Sequence, residues 1–110
     1  MIIGSQGEII EFNFSPSLGH EPANRRPALV VSSDEFNTST SMTLVCPITT
    51  TNSGFPLHIK LPDGLETNGY VVVEQLRAFD LTARNARTIE YIDNESEFMN
   101  NIKTLIKSFL

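Results

Sequence analysis

The chain has 110 residues, of which 40% are apolar and 19% charged, and its formal net charge at pH 7 is −5. A chain of this length predicts one folded domain spanning residues 1–110 and excludes a multidomain arrangement. Proteins that bind nucleic acid by general electrostatics carry a basic footprint, which this acidic chain lacks. It can bind nucleic acid only where its arginines gather on one surface.

The single cysteine, Cys46, excludes an internal disulfide. It lies in an apolar run, which is typical of a buried thiol in a reducing compartment. One cysteine and two histidines do not make a metal-ligand set, and we expect neither a metal nor a cofactor. Because no signal-like N-terminus and no apolar run of membrane-spanning length occur, we expect a soluble, cytoplasmic protein without membrane contact.

Alternating and continuous apolar patterns predict five strands. The first strand places Ile10, Phe12 and Phe14 on one face, and the second is apolar throughout, as expected for burial on both faces. The polar stretch 34–41 predicts a loop or a short helical turn. The strands are predicted over 9–14, 27–32, 42–48, 55–61 and 69–79.

The end of the chain changes to helical periodicity. Asp93 or Asn94 is the expected N-cap, and acidic residues in the first turn with lysines toward the end complement the helix dipole. Short, mostly antiparallel strands followed by one terminal helix predict a mainly β fold, a small barrel with a C-terminal helix. The apolar positions of the helix are Phe98, Ile102, Leu105, Ile106 and Phe109.

Arg25 and Arg26 close a polar loop immediately before a strand that begins with Pro27. Proline restricts the backbone of the preceding residue, and an arginine on a rigid backbone is a natural clamp for phosphate or carboxylate. Since neighbouring side chains of an extended chain point opposite ways, we expect one of the two arginines to face the site. Thr49 and Thr50 end another strand, where their hydroxyls either hold the same anion or form a local turn.

Three further side chains are candidates for proton transfer or structural hydrogen bonding. His20 lies beside Glu21 in a loop and is either an acid–base group or an idle solvent-facing histidine. Glu74 and Gln75 interrupt a valine-rich strand, so one of them must face a polar neighbour or water, in a site or in a structural hydrogen bond.

Taken together, short segments along nearly the whole chain resemble the MazF/PemK (Kid) family, the toxin halves of bacterial toxin–antitoxin pairs. Their order and spacing carry the resemblance. The segments are GEII (7–10), FSP (14–16), GHE (19–21), RPALVV (26–31), VCPIT (45–49), GFP (54–56), Gly69, EQLR (74–77) and DLTAR (80–84).

The resemblance implies a homodimer of SH3-like β-barrels, each of about five to seven mostly antiparallel strands with a C-terminal helix. It implies cleavage of single-stranded RNA at short sequence motifs without a metal, through attack of the ribose 2′-hydroxyl that leaves a 2′,3′-cyclic phosphate and a 5′-hydroxyl. It also implies a cognate antitoxin that blocks the RNA groove.

Position by position, the resemblance identifies Arg26 and Thr49 with the family's catalytic arginine and threonine. Glu21 matches a glutamate in the loop that borders the RNA groove, His20 a histidine implicated in some members, and Glu74 a position that is aspartate or glutamate in the family. These three residues and Gln75 are candidates for acid–base or RNA-binding roles. Residue 72 is valine where the PemK branch has an arginine, so the acid–base scheme of that branch lacks one member here. Further RNA contacts are expected from Arg25, Thr50, Phe55 and Arg77.

A different class of function is the alternative, a non-catalytic toxin-fold module that binds a protein target such as gyrase. The acidic net charge favours this binder. The presence of both Arg26 and Thr49 favours the enzyme, because a protein that only binds a target has no need of both residues.

Overall fold

Residues 4–14 and 25–110 are described by the computed structural model. Within them the chain forms seven strands and two helices, and neither helix is long and apolar enough to cross a bilayer. The strands are β1 Glu8–Asn13, β2 Arg25–Val30, β3 Thr43–Thr49, β4 His58–Lys60, β5 Tyr70–Val72, β6 Arg77–Phe79 and β7 Arg87–Tyr91. The helices are α1 Asp34–Thr40 and α2 Glu97–Ser108.

One sheet with the strand order β4-β5-β3-β2-β1-β7 organises the molecule, and β6 pairs with β3 beside this path. Every pairing is antiparallel. Seven antiparallel strands with a C-terminal helix confirm the mainly β fold predicted from the sequence.

Strand β3 belongs to both halves of the sheet. Its pairing with β2 ends at Pro47, which has no N–H to donate. The next two residues, Ile48 and Thr49, pair with β5 instead. The predicted site threonine therefore lies at the point where β3 changes partners.

The sheet has a cluster of buried apolar side chains on each face. Strand β2 contributes to both, because Ala28, Leu29 and Val30 are all fully buried, which confirms the prediction from its continuous apolar run. The cluster under α2 includes Ile9, Leu29, Cys46, Val71, Val73, Met99 and Ile102. The cluster on the opposite face comprises Ile10, Phe12, Ala28, Val30, Val45, Phe79 and Leu81.

The predicted continuous strand over 69–79 is wrong. The chain forms β5, then a 3₁₀ turn over Val73–Gln75, then β6. The turn is closed by the N–H of Leu76, which donates to the carbonyl of Val73 at 3.3 Å. Breaking the strand allows β5 to pair with the end of β3 and β6 with its beginning, where Thr43 lies opposite Phe79.

The N-terminus of α2 also differs from its prediction. Ser96 is the N-cap, and its hydroxyl accepts a hydrogen bond from the N–H of Met99 at 3.2 Å. Asp93 instead accepts from the N–H of Glu95 at 3.0 Å in the preceding turn. Both Asp93 and Ser96 are good caps by residue type, so composition alone does not choose between them.

Two elements were not predicted as such. The stretch 34–41 contains a seven-residue helix, α1, whose N-cap Ser33 accepts from the N–H of Phe36. Strand β7 pairs with β1 through a register shift between Ile9 and Ile10. Its mostly exposed residues give little of the apolar alternation by which strands are recognised.

Candidate active site

Arg26 and Thr49 belong to one face of the sheet. In the pairing of β2 with β3, Ala28 lies opposite Pro47. The pairing ends there, and two residues further along each strand are Arg26 and Thr49. Since side chains alternate along a strand, Arg26 lies on the face of Ala28 and Thr49 on the face of Pro47, so the two predicted site residues share one face of the sheet.

Aromatic rings underlie the guanidinium of Arg26. Its Cζ lies 5.4 Å from the ring centroid of Phe14, and the side chain is exposed. Phe14 in turn stacks on Phe12 with centroids 4.5 Å apart. The cation–π contact holds the planar group over the cluster without using its N–H donors, and among the described residues none of these donors forms a hydrogen bond.

Two more arginines pack on the same aromatic cluster. The Cζ atoms of Arg77 and Arg84 each lie 4.7 Å from the ring centroid of Phe79. Arg84 also donates to the carbonyls of Asn13 at 3.0 Å and Phe14 at 2.6 Å, which fixes its position.

Arg26, Arg77 and Arg84 concentrate positive charge on one face of an acidic chain. Within residues 4–14 and 25–110 none of the three forms an ion pair with a carboxylate. An acidic chain can bind an anion only where its arginines gather on one surface, and this face meets that condition.

Arg25 points away from this face, as the extended backbone requires. Its guanidinium donates to Oε1 of Glu11 at 3.3 Å, to Oδ1 of Asn13 at 3.0 Å and to the carbonyl of Glu11 at 3.0 Å. The side chain of Arg25 therefore forms a hydrogen-bond network with β1 on the opposite side of the sheet from the side chain of Arg26.

The hydroxyl of Thr49 has a structural partner and a free proton. Its Oγ1 accepts a hydrogen bond from the N–H of Thr51 at 3.2 Å, which turns the chain after β3. Because this bond uses only a lone pair, the hydroxyl hydrogen remains available for a phosphate oxygen. The structural and functional interpretations of Thr49 are thus compatible, and Thr50 beside it is exposed.

Sequence reasoning missed His58, which bridges two polar side chains. Its Nδ1 lies 2.7 Å from Oγ of Ser53, and its Nε2 lies 2.8 Å from Oε2 of Glu74. The ring of Phe55 meets the imidazole edge-on, with centroids 5.3 Å apart. With the carboxylate ionised, Nε2 donates to it, and Nδ1 exchanges one hydrogen bond with the serine hydroxyl in either protonation state.

The register also places His58 on the face that carries Thr49. His58 lies opposite Val72 in the pairing of β4 with β5, and Thr49 lies opposite Tyr70, two residues earlier on β5. The sequence did show His58 as a polar residue within a predicted strand. Its contact with Glu74 follows only from the register of the β4–β5 hairpin.

Three predicted site residues remain, His20, Glu21 and Gln75. His20 and Glu21 lie outside the described residues. Gln75 is exposed in the same turn as Glu74.

Known proteins are similar to this chain over most of its length. The model of a family described as PemK-like, MazF-like toxins of type II toxin–antitoxin systems matches residues 5–110. The Endoribonuclease toxin MazF of Escherichia coli K12 is 34% identical over 84 residues, covering 76% of this chain and 75% of that protein. The Endoribonuclease toxin ChpB of the same strain is 40% identical over 90 residues, covering 76% of each.

Solved structures show the same likeness in three dimensions. A MazE–MazF crystal structure (Form-II) from Deinococcus radiodurans superposes with a TM-score of 0.84 at 28% identity, covering 99% of this chain and 96% of that one. MazF (Form-I) from the same organism gives a TM-score of 0.82 at 28% identity.

Gly69 holds the backbone close to Thr49, and Gly69→Ala tests this contact. Its φ is +130°, and an added Cβ would lie 2.4 Å from the carbonyl oxygen of Thr49. Gly64→Ala is the matched control, since φ there is +90° with nothing within 4 Å of the new Cβ. We expect Gly64→Ala to lower the free energy of unfolding in urea by about 1–2 kcal/mol through backbone strain alone. Gly69→Ala should cost clearly more, and equal losses for the two variants would contradict a close contact at Thr49.

Cys46 should be chemically inert in the folded protein. Burial, together with the negative charge of Glu74, raises the pKa of its thiol to about 12. Because the thiolate is the reactive form, the native protein at pH 8 should not react with a disulfide reagent such as DTNB, whereas the urea-unfolded chain should react at once. Rapid stoichiometric labelling of the native protein would show that the thiol is accessible.

Proposed function

Because the chain belongs to the family of PemK-like, MazF-like toxins of type II toxin–antitoxin systems, we propose that it is an endoribonuclease that cuts single-stranded RNA. The observation that supports the proposal is the register of β2 and β3, whose last pair, Ala28 and Pro47, puts Arg26 and Thr49 on one face of the sheet. Two relatives above 30% identity are named endoribonucleases, which favours catalysis over a module that only binds a protein target.

The reaction proposed is attack of a ribose 2′-hydroxyl on the adjacent phosphodiester. The new O–P bond closes a 2′,3′-cyclic phosphate, and the bond to the 5′-oxygen breaks to leave a 5′-hydroxyl end. Negative charge accumulates on the phosphate oxygens in the transition state. Arg26 supplies a planar pair of charged donors for those oxygens, and Thr49 supplies a neutral donor from the neighbouring strand.

Two protons move in this reaction, one from the 2′-hydroxyl to a base and one from an acid to the leaving 5′-oxygen. Glu74 is the base candidate that the geometry supports, since His58 fixes one carboxylate oxygen at 2.8 Å and can share the incoming proton. Arg26 remains a candidate for the proton donor. His20 and Glu21 remain candidates for either transfer.

The proposal includes the partners of such a toxin. A cognate antitoxin would neutralise this chain by covering the face that carries Arg26, and the working form would be a homodimer. The D. radiodurans structure of MazE with MazF is the precedent for a complex of this kind. We further propose that residues 1–110 act as one toxin domain, in the cytoplasm, where RNA is the available substrate.

Arg26→Ala tests the catalytic assignment. Loss of one preorganised donor to a developing negative charge typically lowers the rate about 10²–10³-fold, and we expect a loss of this size with the fold unchanged. The assay is incubation of a long single-stranded RNA with the protein in EDTA, followed by analysis of fragment ends for 5′-hydroxyl groups.

Arg87→Ala is the matched control. Arg87 lies on β7 opposite Glu11, on the reverse face of β1, and its side chain is 73% exposed. It should cut RNA at the wild-type rate. Activity of Arg26→Ala within threefold of wild type would refute the role of Arg26, and intact RNA with the wild-type protein would refute the nuclease itself.

A further inference from the structure

Tyr70 and Lys60 continue the row of side chains that begins with Arg26 and Thr49. Tyr70 lies opposite Thr49 in the pairing of β3 with β5, and Lys60 lies opposite Tyr70 in the pairing of β5 with β4. Opposed residues share a face, so all four side chains belong to the same face of the sheet. At 4.7–4.9 Å per strand, the row extends about 14 Å from Arg26 to Lys60.

The backbone that carries Tyr70 is held firmly against β3 and β4. The carbonyl of Gly69 accepts from the N–H of Leu61 at 3.0 Å. The preceding loop is tied to β7, because the carboxylate of Glu90 accepts from the N–H groups of Glu66 at 3.1 Å and Thr67 at 2.7 Å. Tyr70 is therefore presented on a rigid element.

The polar groups of both side chains lack partners in the part of the chain that the structure describes. There the Tyr70 hydroxyl has no hydrogen-bond partner and Lys60 forms no ion pair. Tyr70 is half-buried and Lys60 exposed on β4, the edge strand of the sheet. Free polar groups on a rigid surface beside a catalytic site are available to substrate.

The combination of an aromatic ring and a cation is the one that proteins use for single-stranded nucleic acid. A base stacks on the ring whatever its identity, and the cation neutralises a backbone phosphate. Lys60 lies two strands beyond Thr49, about 10 Å along the row, which favours contact with a phosphate next to the one at Arg26.

We propose that Tyr70 and Lys60 form a subsite for a nucleotide flanking the scissile phosphate. The base stacks on the Tyr70 ring, and the phosphate on the far side of that nucleotide pairs with Lys60. This inference rests on the proposed ribonuclease function and adds to it the path that the RNA takes, outward across β5 and β4.

Tyrosine fluorescence tests the stacking without altering the subsite, because the chain has two tyrosines and no tryptophan. In Tyr91→Phe, Tyr70 is the sole emitter, and in Tyr70→Phe the sole emitter is Tyr91, on β7. The probe is a single-stranded RNA that contains the mapped cleavage motif with a 2′-deoxyribose at the attacking position, which prevents cleavage. We expect this RNA to quench emission of the Tyr91→Phe protein and to leave that of Tyr70→Phe unchanged.

Affinities for the same RNA separate the two contacts. Tyr70→Leu should weaken binding about 5- to 100-fold, while Tyr70→Phe retains it, because the ring provides the contact. Lys60→Gln should reduce the slope of log affinity against log salt by about 0.7, the value for one phosphate contact on a single strand. Lys107→Gln, on the exposed side of α2, is the control that should leave the slope unchanged.

The outcomes distinguish the subsite from the enzyme. If the wild-type protein cuts RNA but Tyr70 emission does not respond, Tyr70→Leu binds as tightly as wild type and the Lys60→Gln slope equals that of wild type, the subsite is overturned and the nuclease stands. If the wild-type protein neither binds nor cuts the RNA, the proposed function fails and the subsite with it.

Discussion

The exchange of partners along β3 is the constraint on which the site depends. Pro47 cannot donate to a ladder, and the pairing with β2 stops there, so that Ile48 and Thr49 pair with β5. The end of β2, which carries Arg26, is left beside Thr49 without a ladder between them. Arg26 and Thr49 thus lie on the same face of the sheet, where the β2–β3 ladder has ended, and the proposed function requires a phosphate to bind between them.

Aromatic packing explains how an acidic chain can present a basic surface. Phe12, Phe14 and Phe79 pack with centroids 4.5–5.3 Å apart, and arginines lie over their rings. The rings position the guanidiniums by cation–π contacts and compete little for their N–H donors. A carboxylate partner, such as Glu11 provides for Arg25, would cancel the charge that an anion needs. The net charge of −5 is a sum over the whole chain and does not describe the local charge of this face.

The sequence was sufficient for the parts of the fold that depend on local pattern. The burial of β2 followed from its continuous apolar run, and the opposite directions of Arg25 and Arg26 followed from an extended backbone. The catalytic roles of Arg26 and Thr49 stay predictions. The break of the strand at Val73–Gln75 was not predictable from the sequence. A valine-rich segment has the same local pattern whether it pairs with its neighbour as one strand or as two. His58 was missed for a related reason, since its contact with Glu74 spans 16 residues and exists only in the register of β4 and β5. Long-range pairing decides both, and no local signal encodes it.

The most direct measurement of the central claim is a crystal structure of the protein with the uncleavable RNA that carries one 2′-deoxyribose at the cleavage motif. The account predicts the scissile phosphate between β2 and β3, with one oxygen at about 2.7–3.2 Å from the Arg26 guanidinium and another at a similar distance from Oγ1 of Thr49. An RNA bound on the opposite face, beside Arg25 and Glu11, would contradict it.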